Sequence, residues 1–256
     1  MDERAQSFLR LLKIMDELRE QCPWDKKQTI ESVRHLTIEE TFELSDAILK
    51  NDLNEVKKEL GDLLLHIVFY ARIASETNSF DIKGIIDSLC EKLIYRHPHI
   101  YGDVKADTEE HVKQNWEQLK QKEKGGNKSV LSGVPNSMPA LLKAYRIQEK
   151  ARAVGFDWEK PEQVYEKVKE ELNEFEIEVK NKDHQKAEQE FGDVMFSLIN
   201  YARFLNINPE DALEHTNQKF IKRFAYMEEK VKEQGKQIAD CKLEELDKYW
   251  NEAKKI

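Results

Sequence analysis

The sequence predicts an all-α protein built from two similar helical units in tandem. Apolar residues recur three and four positions apart, as on one face of a helix, from Phe8 to Met15 and again from Val164 to Phe175. No stretch of useful length alternates as a strand would, and the six prolines fall at breaks between helical stretches. A pattern of acids also occurs twice, which indicates a duplicated helical design.

The first helices follow one another in a simple order. The apolar face from Phe8 to Met15 belongs to an opening helix, and a second helix ends at the turn Lys50–Asp52. A third helix then runs back antiparallel, with an apolar stretch from Leu63 to Phe69 that predicts a buried helix. His66 interrupts this stretch, and we interpret it as a core histidine rather than a metal ligand.

The second half repeats this order after a linker. Residues 121–139 lose helical periodicity and contain Gly and Pro, so we predict a linker there, between a domain at 1–120 and a domain at 140–256. Gly126–Ser129 within it superficially resembles a phosphate-binding loop but lacks the GxxxxGK[ST] pattern and a preceding strand. Helical spacing resumes by Val164, and the apolar stretch Val194–Ile199 corresponds to the one after Leu63.

The duplicated feature is a set of carboxylates at identical spacing. When 37–72 is laid over 168–203 without a gap, six of the ten identities are acidic residues, whereas the apolar positions have changed. The acids that carry the pattern are Glu39, Glu40, Glu43, Glu59 and Asp62 in the first copy and Glu170, Glu171, Glu174, Glu190 and Asp193 in the second.

Such spacing concentrates negative charge at one place. Glu40 with Glu43, and Glu59 with Asp62, share helix faces, and a helical hairpin would bring the two pairs opposite each other. Acids on a helix are often only a solvated surface, but a solvated surface does not require the same acids to persist while the core around them changes. Carboxylate oxygens are the ligands that Mg²⁺ and Mn²⁺ prefer, so the pattern predicts a metal site.

A basic pair and a tryptophan lie near the end of each half. Lys92 and Arg96 correspond to Lys219 and Arg223 if a gap of four residues is allowed, and Trp116 corresponds to Trp250. Lys219 and Arg223 are four positions apart, so they form one basic helix face suited either to phosphate oxygens or to solvent. We interpret the tryptophans as core anchors rather than platforms for a base.

Composition narrows the classes of function. The formal net charge of -9 argues against a nucleic-acid-binding protein but not against a nucleotide whose charge a divalent ion neutralises. Three scattered cysteines without CxxC spacing suit a reducing cytoplasm and form neither a disulfide frame nor a zinc site. The charged N-terminus lacks a signal sequence, and no apolar run is long enough to span a bilayer, so we expect a cytoplasmic protein.

Taken in order, these motifs resemble those of a known family, the MazG nucleoside triphosphate (NTP) pyrophosphohydrolases of the all-α NTP pyrophosphatase superfamily. The resemblance covers nearly the whole chain. It includes EExxE followed by ExxD in both halves, and it further rests on Cys22–Thr29, Arg96–His99 and Lys219–Phe224. We favour a structural turn for His97-Pro98-His99 within this set.

The resemblance implies the hydrolysis of NTPs to monophosphate and pyrophosphate with Mg²⁺, or with Mn²⁺ as an alternative, in helical-bundle domains completed by dimerisation. It implies the metal ligands Glu171, Glu174, Glu190 and Asp193 and, by correspondence, Glu40, Glu43, Glu59 and Asp62. The residues that it places at the nucleotide are Lys167, Val168, Lys169, Glu170, Glu171, the turn formed by Lys186, Ala187, Glu188 and Gln189, then Asp193, Asn217, Lys219, Phe220, Ile221, Lys222, Arg223 and Trp250.

A catalytic hypothesis follows from this assignment. Glu170 lies beside the ligand set and would orient or deprotonate the attacking water. Lys186, Lys219 and Arg223 would take the charge that develops on the leaving pyrophosphate. The halves differ at one position, because Asn217 precedes the basic face of the second half whereas Cys90 occupies the corresponding place in the first. We therefore expect the second half to be the catalytic domain.

Two other classes of protein remain open from the sequence. A di-iron carboxylate bundle also places acids inside helices, but it uses Glu-x-x-His pairs where this chain has Glu-x-x-Asp. A non-catalytic helical scaffold could use the acids to bind a regulatory partner. For the enzyme, we expect broad base specificity and a role in maintaining the nucleotide pool, since no motif resembles a dedicated frame for one base.

Overall fold

The computed structural model describes residues 2–104, 108, 112, 116, 119 and 129–255. Every regular element in these residues is helical, which confirms the predicted all-α class. The chain divides into two compact units, Met1–Lys105 and Ala106–Ile256. The predicted domain and linker boundaries stay predictions, because most of the segment 105–128 lies outside the described residues. No helix among those described is long and apolar enough to cross a bilayer.

The first unit is built on one helical hairpin, and two further helices pack on the second helix of that hairpin. Its core is formed by Met15, Val33, Val68 and Phe69, which are almost completely buried. Arg19 holds the segment before the hairpin, since its guanidinium donates to the backbone oxygen of Gln28 at 3.0 Å. The helices are α1 Glu3–Gln21, α2 Ile30–Leu49, α3 Leu53–Ser75, α4 Ile82–Arg96 and the short α5 Pro98–Tyr101, with a 3₁₀ turn at Asp25–Lys27.

The second unit repeats the hairpin and adds a C-terminal helix pair. Its two hairpin helices contact each other along their length, and the helix before them packs on the second of the two. The C-terminal pair of helices has its own small core of Met227, Val231 and Tyr249. The helices are α6 Ala140–Ala153, α7 Pro161–Asn181, α8 His184–Phe204, α9 Pro209–Glu233 and α10 Leu243–Ala253, with a 3₁₀ turn at Ile238–Asp240.

The two hairpins turn in the same way. Asn51 and Lys182 occupy equivalent positions and both have positive φ, 55° and 57°. The next residue in each turn caps the following helix: the carboxylate of Asp52 accepts from the backbone N–H of Asn54, and that of Asp183 accepts from Lys186. The predicted turn at Lys50–Asp52 is confirmed, and each cap fixes where the second acid pair begins along its helix.

Replacing Lys182 by Gly is expected to stabilise the second unit. A side chain with a Cβ pays a steric cost in the left-handed region that Gly avoids, so the free energy of unfolding should rise by about 0.5–1 kcal/mol. Asn51→Gly is the matched control in the other hairpin, and it should gain less because Asn tolerates this region. Hydrogen exchange of the hairpin amides measures both, and equal gains would contradict the steric explanation.

The apolar stretches after the acids are only half buried, contrary to the predicted buried helices. In α3, Val68 and Phe69 are buried, whereas Leu64 and Ile67 are exposed. In α8, Val194 and Ile199 are buried, whereas Met195 and Leu198 are exposed. The physical reason is that each hairpin packs on one side only within its unit. The sequence marks both sides as apolar, and on the second side Leu64, Ile67, Met195 and Leu198 stay exposed in the part of the chain that the structure describes.

Candidate metal and nucleotide site

The hairpin of the second unit brings three carboxylates together. Glu171 and Glu174 lie one turn apart on α7, and Glu190 faces them from the first half of α8. One carboxylate oxygen from each lies within 4.8 Å of the other two. The first unit repeats the arrangement with Glu40, Glu43 and Glu59. The acids that the sequence predicted as ligands therefore converge in both copies, three at a time.

The fourth predicted ligand of each copy lies beside this group rather than in it. Asp193 is one turn after Glu190 on α8, and Asp62 is one turn after Glu59 on α3. Each is near enough to act through its charge, since Asp62 contributes to raising the pKa of Glu40 and Asp193 contributes to raising that of Glu190. A ligand role for either aspartate stays a prediction.

The carboxylates within each cluster repel one another. Burial raises the pKa of Glu190 above its ordinary value, and the neighbouring carboxylates, Glu174 foremost, raise it further. Burial likewise raises the pKa of Glu40, followed by the charge of Asp62. The pKa of Glu59 is lowered instead, because the ammonium of Lys58 donates a hydrogen bond to it. A divalent cation would relieve the repulsion in both clusters.

One lysine partly neutralises the negative charge of each cluster, and the two lysines lie on non-equivalent helices of their hairpins. Lys58 precedes Glu59 on α3, and its Nζ lies 2.8 Å from Glu59 Oε1. In the second unit Lys167, on α7, lies 2.8 Å from oxygens of both Glu170 and Glu171. In each cluster an ammonium group thus already pairs with a predicted metal ligand, Glu59 or Glu171. The duplicated pattern does not mark Lys58, because its counterpart, Gln189, carries no charge.

The predicted basic and aromatic residues form a separate cluster on α9 and α10. The Arg223 guanidinium lies 5.9 Å from the ring centroid of Trp250, and the ring of Phe220 lies 5.0 Å from that of Trp250. The amide of Asn217 donates to Glu214 at 3.0 Å. Within the residues described, no ion pair joins Lys219 or Arg223 to the acids of α7 and α8. We therefore describe the acids and this basic cluster as two half-sites of the same unit.

Comparisons with known proteins agree with this arrangement. The profile of the MazG nucleotide pyrophosphohydrolase domain matches residues 28–101 and 159–227, one match on each hairpin. The chain belongs to the MazG family. Its relatives include a protein of Thermotoga maritima named nucleoside triphosphate pyrophosphohydrolase/pyrophosphatase MazG, which is 46% identical over 99% of this chain and 98% of its own length.

A second curated relative and a solved structure also align with this chain. The nucleoside triphosphate pyrophosphohydrolase of Escherichia coli strain K12 is 40% identical over 96% of both chains. A solved structure of a mazG-related protein from Thermotoga maritima aligns with 44% of this chain and 97% of its own chain, at 29% identity and a TM-score of 0.39.

Several residues predicted at the nucleotide lie within helices, and their binding roles stay predictions. Residues 186–189, predicted as a turn, lie in the N-terminal part of helix α8, because Asp183 caps the helix and starts it at His184. Val168 is 3% exposed and packs in the interior, so its side chain does not border an open site. Lys169 pairs with Glu166 at 2.8 Å. The side chains of Ile221 and Lys222 are exposed.

The histidines stay outside the acid clusters. His66 is buried on α3, and burial lowers its pKa. Its Nδ1 has no hydrogen-bond partner among the residues that the structure describes, and it belongs to neither carboxylate group. His97 and His99 flank the start of α5 with ring centroids 5.6 Å apart. This geometry agrees with a core position for His66 and with a turn at Pro98.

Proposed function

We propose that this MazG-family chain hydrolyses NTPs to nucleoside monophosphate and pyrophosphate, with a divalent ion bound by the acids of α7 and α8. The observation that carries the proposal is the convergence of Glu171, Glu174 and Glu190 within 4.8 Å. The names of the full-length relatives support the reaction. Broad base specificity and a role in maintaining the nucleotide pool belong to the same proposal.

The donor set fits Mg²⁺, with Mn²⁺ as the alternative. Each group identified in the described residues contains carboxylate oxygens alone, which suit hard cations, and neither contains a histidine of the kind that a di-iron bundle uses. In the first unit Glu59 is 2% exposed, and its Oε2 is buried without a hydrogen-bond partner among those residues. A buried carboxylate oxygen without a donor is satisfied when it binds a cation.

The residues of the second unit divide the reaction among them. Glu171, Glu174 and Glu190 would hold the ion, with Asp193 beside them. When bound, Mg²⁺ supplies Lewis-acid chemistry, by lowering the pKa of water and neutralising phosphate charge.

Water attacks the α-phosphorus and gives up a proton to a carboxylate oxygen of Glu170, while the bond from the α-phosphorus to the bridging oxygen breaks. Lys219 and Arg223, together with Lys186 on α8, would bind the pyrophosphate that leaves with that oxygen.

A homodimer would provide a cover for exposed apolar residues and a basic cluster for the acids. Phe191, Met195 and Leu198 of α8 are exposed apolar side chains beside the acid cluster. Among the residues that the structure describes, no ion pair joins those acids to the basic cluster at Arg223 and Trp250. Dimerisation would cover the apolar face and join the half-sites, so we propose a dimer in the cytoplasm that does not bind nucleic acid.

The two units would not contribute equally. The second unit has Asn217 before its basic face, whereas Cys90 occupies that place in the first. The pairing of Lys58 with Glu59 does not distinguish the units, because Lys167 pairs with the buried Glu171 of the second unit at the same distance, 2.8 Å. We assign turnover to the second unit and metal binding, with weaker or no turnover, to the first.

Removal of divalent ions is expected to abolish the release of pyrophosphate. The full chain should convert ATP, GTP, CTP and UTP to monophosphate and pyrophosphate with Mg²⁺, because the acids bind the ion and no base is selected strongly. A chelator should reduce the rate to background, and Mn²⁺ should restore it. Chromatography of the products measures the reaction. Folded protein that forms no product with any NTP and either ion would favour the scaffold instead.

A further inference from the structure

The second unit contains a cavity that the proposed reaction leaves unused. It has a volume of about 510 Å³ and lies between α6, the turn 155–158 and the C-terminal half of α8. This volume falls within the range of small-molecule sites, about 300–1,000 Å³. The acid cluster is on a different part of the hairpin, so the cavity is a distinct feature of the same unit.

Aromatic rings form much of the cavity wall. Phe156, Trp158 and Phe196 all line it, and Phe156 is 83% exposed to solvent. The remaining wall combines apolar residues such as Ile147 and Ala151 with four polar ones. Flat apolar rings around an open cavity suit a planar aromatic ligand, which stacks on them and removes their surface from water.

One polar atom on the wall, Gln148 Oε1, has no hydrogen-bond partner among the described residues. Gln148 is 6% exposed, and its Nε2 donates to the backbone oxygen of Phe196 at 2.8 Å. That bond fixes the orientation of the amide, because a carbonyl oxygen accepts only from the nitrogen. The other amide atom, Oε1, is buried and has no hydrogen-bond partner within the described part of the chain. The wall therefore offers one acceptor to an incoming N–H donor.

The charged groups of the wall satisfy one another. Arg203, whose side chain is 3% exposed, donates from Nη1 to Asp157 Oδ2 at 3.1 Å and from Nε to Asn200 Oδ1 at 3.0 Å. The guanidinium and the carboxylate neutralise each other, so the cavity favours the uncharged part of a ligand. A ring with an N–H group fits these walls, whereas a phosphate or a carboxylate does not.

The cavity is also close to the acid cluster along α8. Asp193, Phe196, Asn200 and Arg203 are spaced by three and four residues, so they form one stripe of the helix. The rise from Asp193 to Phe196 is about 4.5 Å. Phosphates at the acids and a ring in the cavity are therefore compatible with the length of one nucleotide.

We propose that this cavity binds a nucleobase, with an N–H of the ring system donating to Gln148 Oε1. The base belongs either to the NTP substrate, in which case the inference rests on the proposed function, or to a second nucleotide. Adenine, cytosine, guanine and uracil each carry an N–H donor, so a single acceptor is compatible with broad base specificity.

The test measures the binding of nucleosides to the full chain without divalent ions. Adenosine carries an amino donor and purine riboside lacks it, so calorimetry should show adenosine binding about tenfold more tightly. Gln148→Met should remove this difference, and Phe156→Ala, a change at an exposed side chain, should weaken both nucleosides. Gln185→Met, at an exposed glutamine of α8, is the matched control and should change neither. Failure of adenosine to bind, or equal binding of both nucleosides, would overturn the proposal.

Kinetics then identify the source of the base. If the substrate's own base occupies the cavity, adenosine raises KM for ATP without changing kcat, and Gln148→Met lowers kcat/KM about tenfold. If a second nucleotide occupies it, adenosine changes kcat instead. Nucleoside binding requires neither metal nor turnover, so an inactive chain that still distinguishes the two nucleosides would refute the proposed reaction and support the cavity.

Discussion

Glu171→Gln is expected to lower the rate of NTP hydrolysis about a thousandfold. The side chain is buried in the acid cluster, where its oxygen lies within 4.8 Å of those of Glu174 and Glu190. An amide keeps the shape but not the charge, so the site loses several kcal/mol of stabilisation for the ion and the phosphates. The measurement is pyrophosphate release at saturating Mg²⁺ and ATP.

Two matched variants separate this effect from general damage. Glu176→Gln changes an exposed acid on the same helix, whose partner is Lys180 at 3.5 Å, and it should retain the wild-type rate. Glu40→Gln makes the equivalent change in the first unit and should also retain most of the activity if turnover belongs to the second. A wild-type rate for Glu171→Gln would refute the metal assignment.

The stability of Glu171→Gln is a further readout. Removing one carboxylate reduces repulsion with Glu174 and Glu190, although it also removes the ion pair with Lys167 at 2.8 Å. We expect these effects nearly to cancel, because Lys167 keeps its second partner, Glu170. A folded, inactive protein of unchanged stability is the expected result, and it distinguishes loss of a ligand from loss of structure.

The fold and the acid clusters could be predicted because they depend on local rules. Helical periodicity fixes which residues share a face, and Asp52 and Asp183 cap the second hairpin helices in both copies. With both hairpins turning alike, acids at equal spacing must converge equally. The equal spacing of the acids around Glu40 and Glu171 was therefore enough to predict that each copy forms a carboxylate cluster.

Other features depend on information that spacing does not contain. The apolar run after Asp62 indicated a buried helix, yet Leu64 and Ile67 are exposed, because a sequence shows that a face is apolar but not what covers it. The pairing of Lys58 with Glu59 depends on side-chain conformation.

The cavity at Gln148 combines segments far apart in the chain, and no local motif marks such a combination. Identifying this cavity from the sequence would have required a prediction of tertiary contacts.

Asp157→Asn is expected to destabilise the second unit by about 3 kcal/mol. Its carboxylate is the charge partner of Arg203, whose side chain is 3% exposed, and the change leaves that guanidinium buried without a counter-charge. Arg152 approaches the same carboxylate at 3.8 Å but is half exposed, so its share is small. Hydrogen exchange of α8 amides in the full chain measures the loss for this unit.

Removing both charges should cost much less than removing one. The double variant Asp157→Asn/Arg203→Met leaves no buried unpaired ion. Hydrophobic replacement of a buried pair is often nearly neutral, so this variant should recover most of the loss of about 3 kcal/mol. Glu176→Gln, which breaks an exposed pair, should cost under about 0.5 kcal/mol. A double variant as unstable as Asp157→Asn would show that packing of the 155–158 turn, and not the ion pair, stabilises this part of the unit.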